Sequence, residues 1–327
     1  MPLSTNNTTS ENFRIFYNYI RFYIEIIWDI IVTHTQNSFY IYKKSGIFYE
    51  PASPPAEETN EVFLDNIKLL SYNIDDIVYH RYRYPKKNEA RAVDIIAYLE
   101  STNADIICLQ EVWGETMRQE ITDAFLAKNY YVALPNWRKN YIFGENSGLM
   151  TISKYPIITQ TFIPFNNAEG YCRMCNKGVQ YCHIRVPNSN SLTSKVLNIA
   201  NTHLQASFRE YSSYLDYHEI AKEQLSIIIN ECPYEWCLLT GDLNLQKDQL
   251  TNFIKNESNI RYFGENIDVS FPDYNDRLDY SLLISKIAIK NKITNIKNST
   301  ESNISLSDHF PIITEFEFFR NEINTGS

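Results

Sequence analysis

Along the 327-residue chain, short apolar runs alternate with stretches whose apolar residues recur at helical spacing. Ile67 to Ile74 (IKLLSYNI) and Ala104 to Val112 (ADIICLQEV) read as strands. Between them, Ala90 to Leu99 predicts a helix with Ala90, Val93, Ile96 and Ala97 on one face. Six further strand-like runs follow: SGLMTISK, GVQYCHIRV, KVLNIANTHL, EWCLLTGDLN, RLDYSLLIS and PIITEFEFF. A long helical stretch is expected from Ser213 to Asn230, with Leu215, Ile220, Leu225 and Ile228 among its apolar positions. Strands exchanging with helices in this order indicate a mixed α/β fold of two sheets packed face to face with helices outside. The sequence contains no internal repeat.

Before Asn60 the pattern changes. From Phe13 to Thr33, Arg14, Asn18, Arg21, Glu25 and Asp29 fall on one helical stripe. Phe16, Tyr17, Ile20, Tyr23, Ile24, Ile27, Trp28 and Ile31 cover the rest, which predicts an amphipathic helix with a wide apolar face. Its charges interrupt any run of the ~20 apolar residues that a membrane-spanning helix needs. Two placements remain open: docking on the core or on a second copy, or lying in a membrane interface, where Trp and Tyr favour the headgroup level. The start MPLSTNNTTSENF lacks the positive region of a cleaved secretory signal. Tyr49 to Asn60 (YEPASPPAEETN) reads as a Pro-rich linker, giving a helical segment at 1–48, a linker at 49–60 and a catalytic domain at 61–327.

Composition narrows the classes. With 44% hydrophobic and 21% charged residues the chain is too apolar to be disordered. A net charge of −9 excludes a protein that holds nucleic acid by blanket phosphate neutralisation. The 40 Ile, 34 Asn and 24 Tyr against 9 Gly reflect codon usage in an AT-rich genome, so position and not abundance must carry the functional argument. Asn-X-Ser/Thr matches such as those at Asn7, Asn256, Asn298 and Asn303 are expected by chance in so Asn-rich a chain. Six cysteines are too sparse for a disulfide scaffold and read as free thiols of a reducing compartment. Neither Cys172, Cys175 and Cys182 nor Cys232 and Cys237 match a zinc spacing, and none is assigned as a ligand. The expected location is intracellular: cytoplasmic, or peripheral to a membrane.

Polar residues that interrupt strand ends mark the chemistry: Asn73, Glu111, His203, Asp242 with Asn244, Asp279, and Asp308 with His309. In α/β sheets such ends build sites. Carboxylates and amide oxygens are hard ligands suited to Mg²⁺ or Ca²⁺, and two histidines add acid–base capacity near neutral pH. Metal-assisted attack of water on a phosphate ester is the reaction class this set fits.

In order, SYNI, LQEV, SGLMTISKYPI, NTHLQA, LLTGDLN, RLDYSLL and LSDHFPI resemble the endonuclease/exonuclease/phosphatase superfamily over Ile67 to Phe319. The resemblance implies a four-layered α/β sandwich, DNase I-like, that cleaves phosphate esters with Mg²⁺. It implies that Glu111 binds the metal, with Asn73 as a ligand or phosphate-side partner and Asp308 in support. His309 would be the general base and Asp279 would fix its tautomer. Asp242 and Asn244 would orient water and phosphate, and His203 would donate to the phosphate or protonate the leaving oxygen.

Within the superfamily, NTHLQA, the CNKGVQY stretch and LLTGDLNL look most like neutral sphingomyelinases. Lys177 there is either a phosphate contact or a strand-edge lysine. After Asn73, the basic residues His80, Arg81, Arg83, Lys86, Lys87 and Arg91 interleave with Tyr79, Tyr82 and Tyr84. Such a run fits an anionic membrane surface or a lipid phosphate, fits nucleic acid, or is a solvated loop. Because the rest of the domain is acidic, a phospholipid is expected before DNA, with a DNase I-like or repair-type nuclease as the alternative.

Overall fold

Every strand-like run named above forms a strand in the computed structural model, which describes residues 47–49, 66–77, 88–135, 146–186, 195–210, 213–215, 217–255, 257–263, 267–286, 293–301 and 306–318. The N-terminal amphipathic helix, Arg81 and Arg83 lie outside these residues.

Chain order runs β1 Ile47–Tyr49, β2 Asn66–Asn73, α1 Asn88–Ser101, β3 Ile106–Gln110, α2 Glu115–Leu126, β4 Tyr131–Leu134, β5 Met150–Ser153 and β6 Ile157–Pro164. It continues with β7 Gly178–Val186, β8 Lys195–His203, β9 Phe208–Glu210, β10 Ser213–Leu215, α3 His218–Glu231, β11 Trp236–Asp242 and α4 Lys247–Ile254. The last strands are β12 Ile260–Phe263, β13 Asp279–Ser285, β14 Ile293–Thr300 and β15 Ile312–Phe318.

One sheet has the order β1-β4-β5-β3-β2-β15-β14 and the other β12-β13-β11-β8-β7-β6, with β9 and β10 as a separate hairpin. Each sheet is built around one parallel crossover: β2-α1-β3 in the first and β8-α3-β11 in the second. The remaining pairs are antiparallel.

Side-chain alternation along the strands sorts the layers. In β2 and the residue after it, Leu70, Tyr72 and Ile74 join Ile95, Leu99, Ile121 and Phe125 of the helices in one buried cluster. Ile67 and Leu69 face the other way, against Ile199, Leu238 and Leu283 of the second sheet. The outer face of that sheet packs on Leu225, Ile228 and Leu250 of α3 and α4. The molecule is therefore the expected four-layered α/β sandwich. Truncating a leucine in the inter-sheet layer should cost ~2–5 kcal/mol. Among the described residues, no helix is long and apolar enough to cross a membrane.

Three local expectations are corrected. Helix α1 forms, but its buried face is Arg91, Ala92, Ile95 and Leu99, while Ala90, Val93 and Ala97 are exposed. The segment is apolar nearly all round, and the face holding the larger Ile95 and Leu99 wins the core. Arg91 is thereby withdrawn from the basic run: it is buried and its guanidinium donates to the carbonyls of Ile74 and Leu306. Second, Ser213–Leu215 is a strand paired with Phe208–Glu210, and the helix begins only at His218. Third, β1 straddles the expected boundary at 48/49 and adds an edge strand to β4.

Candidate active site

The two parallel crossovers place the C-terminal ends of β2, β3, β8 and β11 at one edge of the sandwich. Asn73, Glu111, His203 and Asp242 stand there. Antiparallel neighbours bring the starts of β13 and β15 to the same edge, because Asp279 pairs with Asp242 and Ile312 with Ser71. Eight expected residues, Asn73, Glu111, His203, Asp242, Asn244, Asp279, Asp308 and His309, thus arrive at one place, and Lys177 joins them.

The backbone at this edge is unusual. Glu111, Asp75 and Asn244 hold left-handed φ values of 57°, 48° and 50°, a region that L side chains occupy only when surroundings impose it. For Glu111 the restraint is visible: its carbonyl accepts the Asp76 amide at 3.1 Å, and the Asp76 carboxylate accepts the Gly114 amide at 2.7 Å. Gly241, before Asp242, has φ 142°, and a Cβ there would lie 2.0 Å from the Thr202 carbonyl oxygen on β8. Only glycine lets β11 approach β8 so closely.

At the centre, Asn73 Nδ2 donates to Glu111 Oε1 and to Asp242 Oδ2, each at 3.0 Å. Its Oδ1 accepts the Asp75 amide at 3.0 Å. Asn73 thus bridges two carboxylates from different sheets. Asn244 donates its backbone amide to Asp242 Oδ1 at 2.9 Å and its side-chain amide to the Leu204 carbonyl at 3.1 Å, tying the Asp242 loop to the one after His203.

His309 Nδ1 lies 2.7 Å from Asp279 Oδ2, and both residues are buried. The same carboxylate oxygen accepts the Ser270 hydroxyl at 2.7 Å. With Nδ1 committed, Nε2 faces Asp242 Oδ2 at 3.8 Å, and the Phe271 ring packs against the imidazole at 4.7 Å. Burial alone would push His309 down, but the Asp279 and Asp242 carboxylates outweigh it and hold its pKa well above the usual range. Ser307 secures the loop: its hydroxyl donates to the Asn73 carbonyl at 2.7 Å and accepts the His309 amide at 3.1 Å.

Lys177, just before β7, stands beside His203. It is buried, with Nζ 2.8 Å from His203 Nε2 and 2.7 Å from the Leu204 carbonyl. An ammonium can only donate, so His203 Nε2 accepts and the neutral ring carries its proton on Nδ1. Burial and the positive charges of Lys177 and His309 push the His203 pKa well below its ordinary value. The positive charge on this side of the site therefore belongs to Lys177.

Acids crowd the remainder. Burial, then Asp75 and Asp308, push Glu111 up to about 7. Asp242 is pushed up to about 6 by burial, with Asp279 adding to the rise. Glu111, His203 and Asp242 place ligand atoms within 4.8 Å of one another, as do Asp242, Asp279 and His309. A cluster of buried carboxylates with oxygen as the dominant donor fits a hard divalent cation. Glu111 and Asp242 are the best placed to hold it, since His203 Nε2 is engaged by Lys177.

Asp75, Asp76, Ser270, Ser307 and Trp113, whose Nε1 lies 3.5 Å from Glu111 Oε2, escaped the sequence reading. Their one signal was proximity in sequence to a motif residue.

The Endonuclease/Exonuclease/phosphatase family model matches residues 70–283. The chain belongs to this family. It is a phosphoric ester hydrolase, of the phosphodiesterase kind that its relatives represent. Sphingomyelinase C from Bacillus cereus is 24% identical over 258 residues, covering 70% of this chain and 71% of that protein. A sphingomyelinase from Dictyostelium discoideum is 31% identical over 116 residues, 32% of this chain and 24% of its own. Among solved structures, beta toxin from Staphylococcus aureus with bound magnesium ions has a TM-score of 0.58 at 21% identity, covering 78% of this chain and 100% of that one. TDP2 from D. rerio, complexed with a single-strand DNA product, has a TM-score of 0.56 at 14% identity, over 77% of this chain and 99% of the other. These structural likenesses establish the shared DNase I-like fold.

Proposed function

We propose that the chain is a Mg²⁺-dependent phosphodiesterase that hydrolyses a choline-type phospholipid such as sphingomyelin, releasing the phosphorylated headgroup. The observation that carries the reading is the meeting of the Glu111–Asn73–Asp242 bridge with the Asp279–His309 pair at one sheet edge. Sphingomyelinase relatives matched over most of both chains support the lipid substrate.

In this reading Glu111 and Asp242 hold the cation, with Asp308 in support and Asn73 keeping the two carboxylates in place. When bound, Mg²⁺ supplies Lewis-acid stabilisation of charge on the phosphoryl oxygens. His309 Nε2 removes the proton from the attacking water, while Asp279 fixes the ring through Nδ1. At rest His309 holds a proton against the Asp279 and Asp242 carboxylates, and it must release that proton to solvent before Nε2 can act as the base. Lys177 presents its ammonium to the phosphate, and His203, kept neutral with Nε2 accepting from Lys177, orients that ammonium. Asn244 keeps the Asp242 loop in register for this chemistry. Arg81 and Arg83 extend the phosphate or membrane contact, and the aromatic segment that precedes β1 seats the enzyme on a bilayer. Six thiols in the free state fit a cytoplasmic protein peripheral to a membrane.

A nuclease reading uses the same residues and is favoured by one observation, the shared fold of TDP2 bound to single-strand DNA. Assaying sphingomyelin vesicles and single-stranded and plasmid DNA side by side, with Mg²⁺ or with chelator, separates the two. Headgroup release that chelator abolishes is expected, and DNA cleavage without lipid turnover would overturn the lipid assignment.

A further inference from the structure

At the end of β11 remote from Asp242, two cysteines meet. Cys232 closes α3, Cys237 lies in β11, and the turn of Pro233, Tyr234 and Glu235 joins them. Their sulfurs are 3.3 Å apart, and both side chains are buried. Lys286, just after β13, clamps the turn: its Nζ donates to the Cys232 carbonyl at 2.6 Å and its backbone amide to the Glu235 carbonyl at 2.8 Å. A sulfur pair at this separation, five residues apart on a pinned turn, needs only a small approach to bond.

We propose that Cys232 and Cys237 are a redox-active dithiol that a small-molecule disulfide such as glutathione disulfide oxidises to an intramolecular disulfide. The contact between the two sulfurs lowers the Cys232 pKa to about 7, whereas the same contact and burial drive Cys237 well above the ordinary thiol value. The pair is therefore asymmetric: Cys232 attacks and Cys237 resolves. The Cys232 thiolate attacks one sulfur of the reagent, whose S–S bond breaks to release one thiolate and leave a mixed disulfide. Cys237 then loses its proton to solvent and attacks Cys232 Sγ, expelling the second thiolate. Two protein thiols are oxidised and one reagent disulfide is reduced to two thiols, so atoms and electrons balance. Pro233 and Glu235 of the turn are exposed while both cysteines are buried, so oxidation requires a local opening of this three-residue turn. The bond would fasten the end of α3 to β11 and make the turn respond to the thiol–disulfide poise of its surroundings, independently of the phosphodiesterase site.

The test incubates the full chain with glutathione disulfide at neutral pH, counts thiols after denaturation, and maps peptides. The count should fall from six by two and be restored by dithiothreitol. The tryptic peptide Glu223–Lys247, which contains both cysteines, should be lighter by two hydrogens. With Cys237→Ser a glutathione adduct should persist on Cys232, and with Cys232→Ser the remaining Cys237 should react at least tenfold more slowly. Retention of all six thiols, a link between any other pair, or equal reactivity of the two variants would overturn the proposal. Peptide mapping of the unsubstituted chain decides even if a variant fails to fold.

Discussion

Asn73 and Asp242 stand 169 residues apart in the chain and 3.0 Å apart in the site. One is the last residue of β2 in the first sheet and the other the last of β11 in the second, so this hydrogen bond joins the two sheets where the chemistry is proposed. The same amide also serves Glu111. A neutral side chain with two donors can hold two carboxylates together without adding charge, and no acid or base could take its place.

Substitution at Asn73 should therefore separate charge from geometry. Asn73→Ala removes both donors and is expected to lower kcat/KM by about a hundredfold, in the range seen for loss of one preorganised donor. Asn73→Asp replaces the donors by a third carboxylate and should be slower still, with a cooperative melt in both variants. Steady-state turnover across a Mg²⁺ titration checks this, and wild-type kcat/KM in Asn73→Asp would remove the bridging role.

The crowded acids predict how stability depends on pH. Glu111 titrates near 4.5 in the unfolded chain and is pushed up to about 7 in the fold, and Asp242 moves from 3.8 to about 6. Between those values the folded protein binds more protons than the unfolded one, so without metal its stability falls as pH rises through that window. A cation held by these carboxylates offsets the repulsion and adds stability by mass action. The rise in melting temperature on adding Mg²⁺ should thus be several degrees at pH 8 and nearly absent at pH 5. Differential scanning calorimetry at the two pH values measures it, and an equal shift at both would place the cation elsewhere.

Asp279 should act through His309. Asp279→Asn removes a carboxylate that holds the His309 proton, so the His309 pKa falls and the acid limb of the rate profile moves to lower pH. The plateau should drop by about 10²–10⁴-fold as the ring loses its orienting partner. A merely structural role would lower the plateau and leave the limb in place, so a kcat/KM profile from pH 5 to 9 distinguishes the two.

What the sequence made legible follows from the range of each contact. The strands ending at Asn73, Glu111, His203 and Asp242 were readable because apolar runs stop at a polar residue, a signal contained within eight or ten positions. The face of α1 was not, since Ala90, Ala92, Val93, Ile95 and Ile96 offer two apolar stripes and only packing chooses. Strand β14 (ITNIKNST) hides in an Asn-rich stretch without alternation, and α4 spans only eight residues. Ser270 and Ser307 act through hydroxyls that reach Asp279 and the Asn73 carbonyl, and Ser307 lies 234 residues from its acceptor. No local pattern encodes such partners.

Asp76 supplies the sharpest test of how the site is held. Its amide bonds the Glu111 carbonyl and its carboxylate bonds the Gly114 amide, a bracket that encloses a glutamate in the left-handed region. Left to itself a glutamate there relaxes to an ordinary φ, which costs of order 1–3 kcal/mol to resist. Asp76→Ala removes half of the bracket and should let Glu111 swing away from Asp242, weakening Mg²⁺ by about tenfold for the ~1.4 kcal/mol at stake. Because the catalytic groups themselves remain, kcat at saturating Mg²⁺ should recover to within a few fold. Asp76→Asn keeps an acceptor for Gly114 and should restore most of the affinity. Mg²⁺ binding can be followed without substrate through Trp113 fluorescence, whose indole lies 3.5 Å from Glu111. Equal Mg²⁺ affinity in wild type and Asp76→Ala would mean that the left-handed turn at Glu111 is held by other contacts.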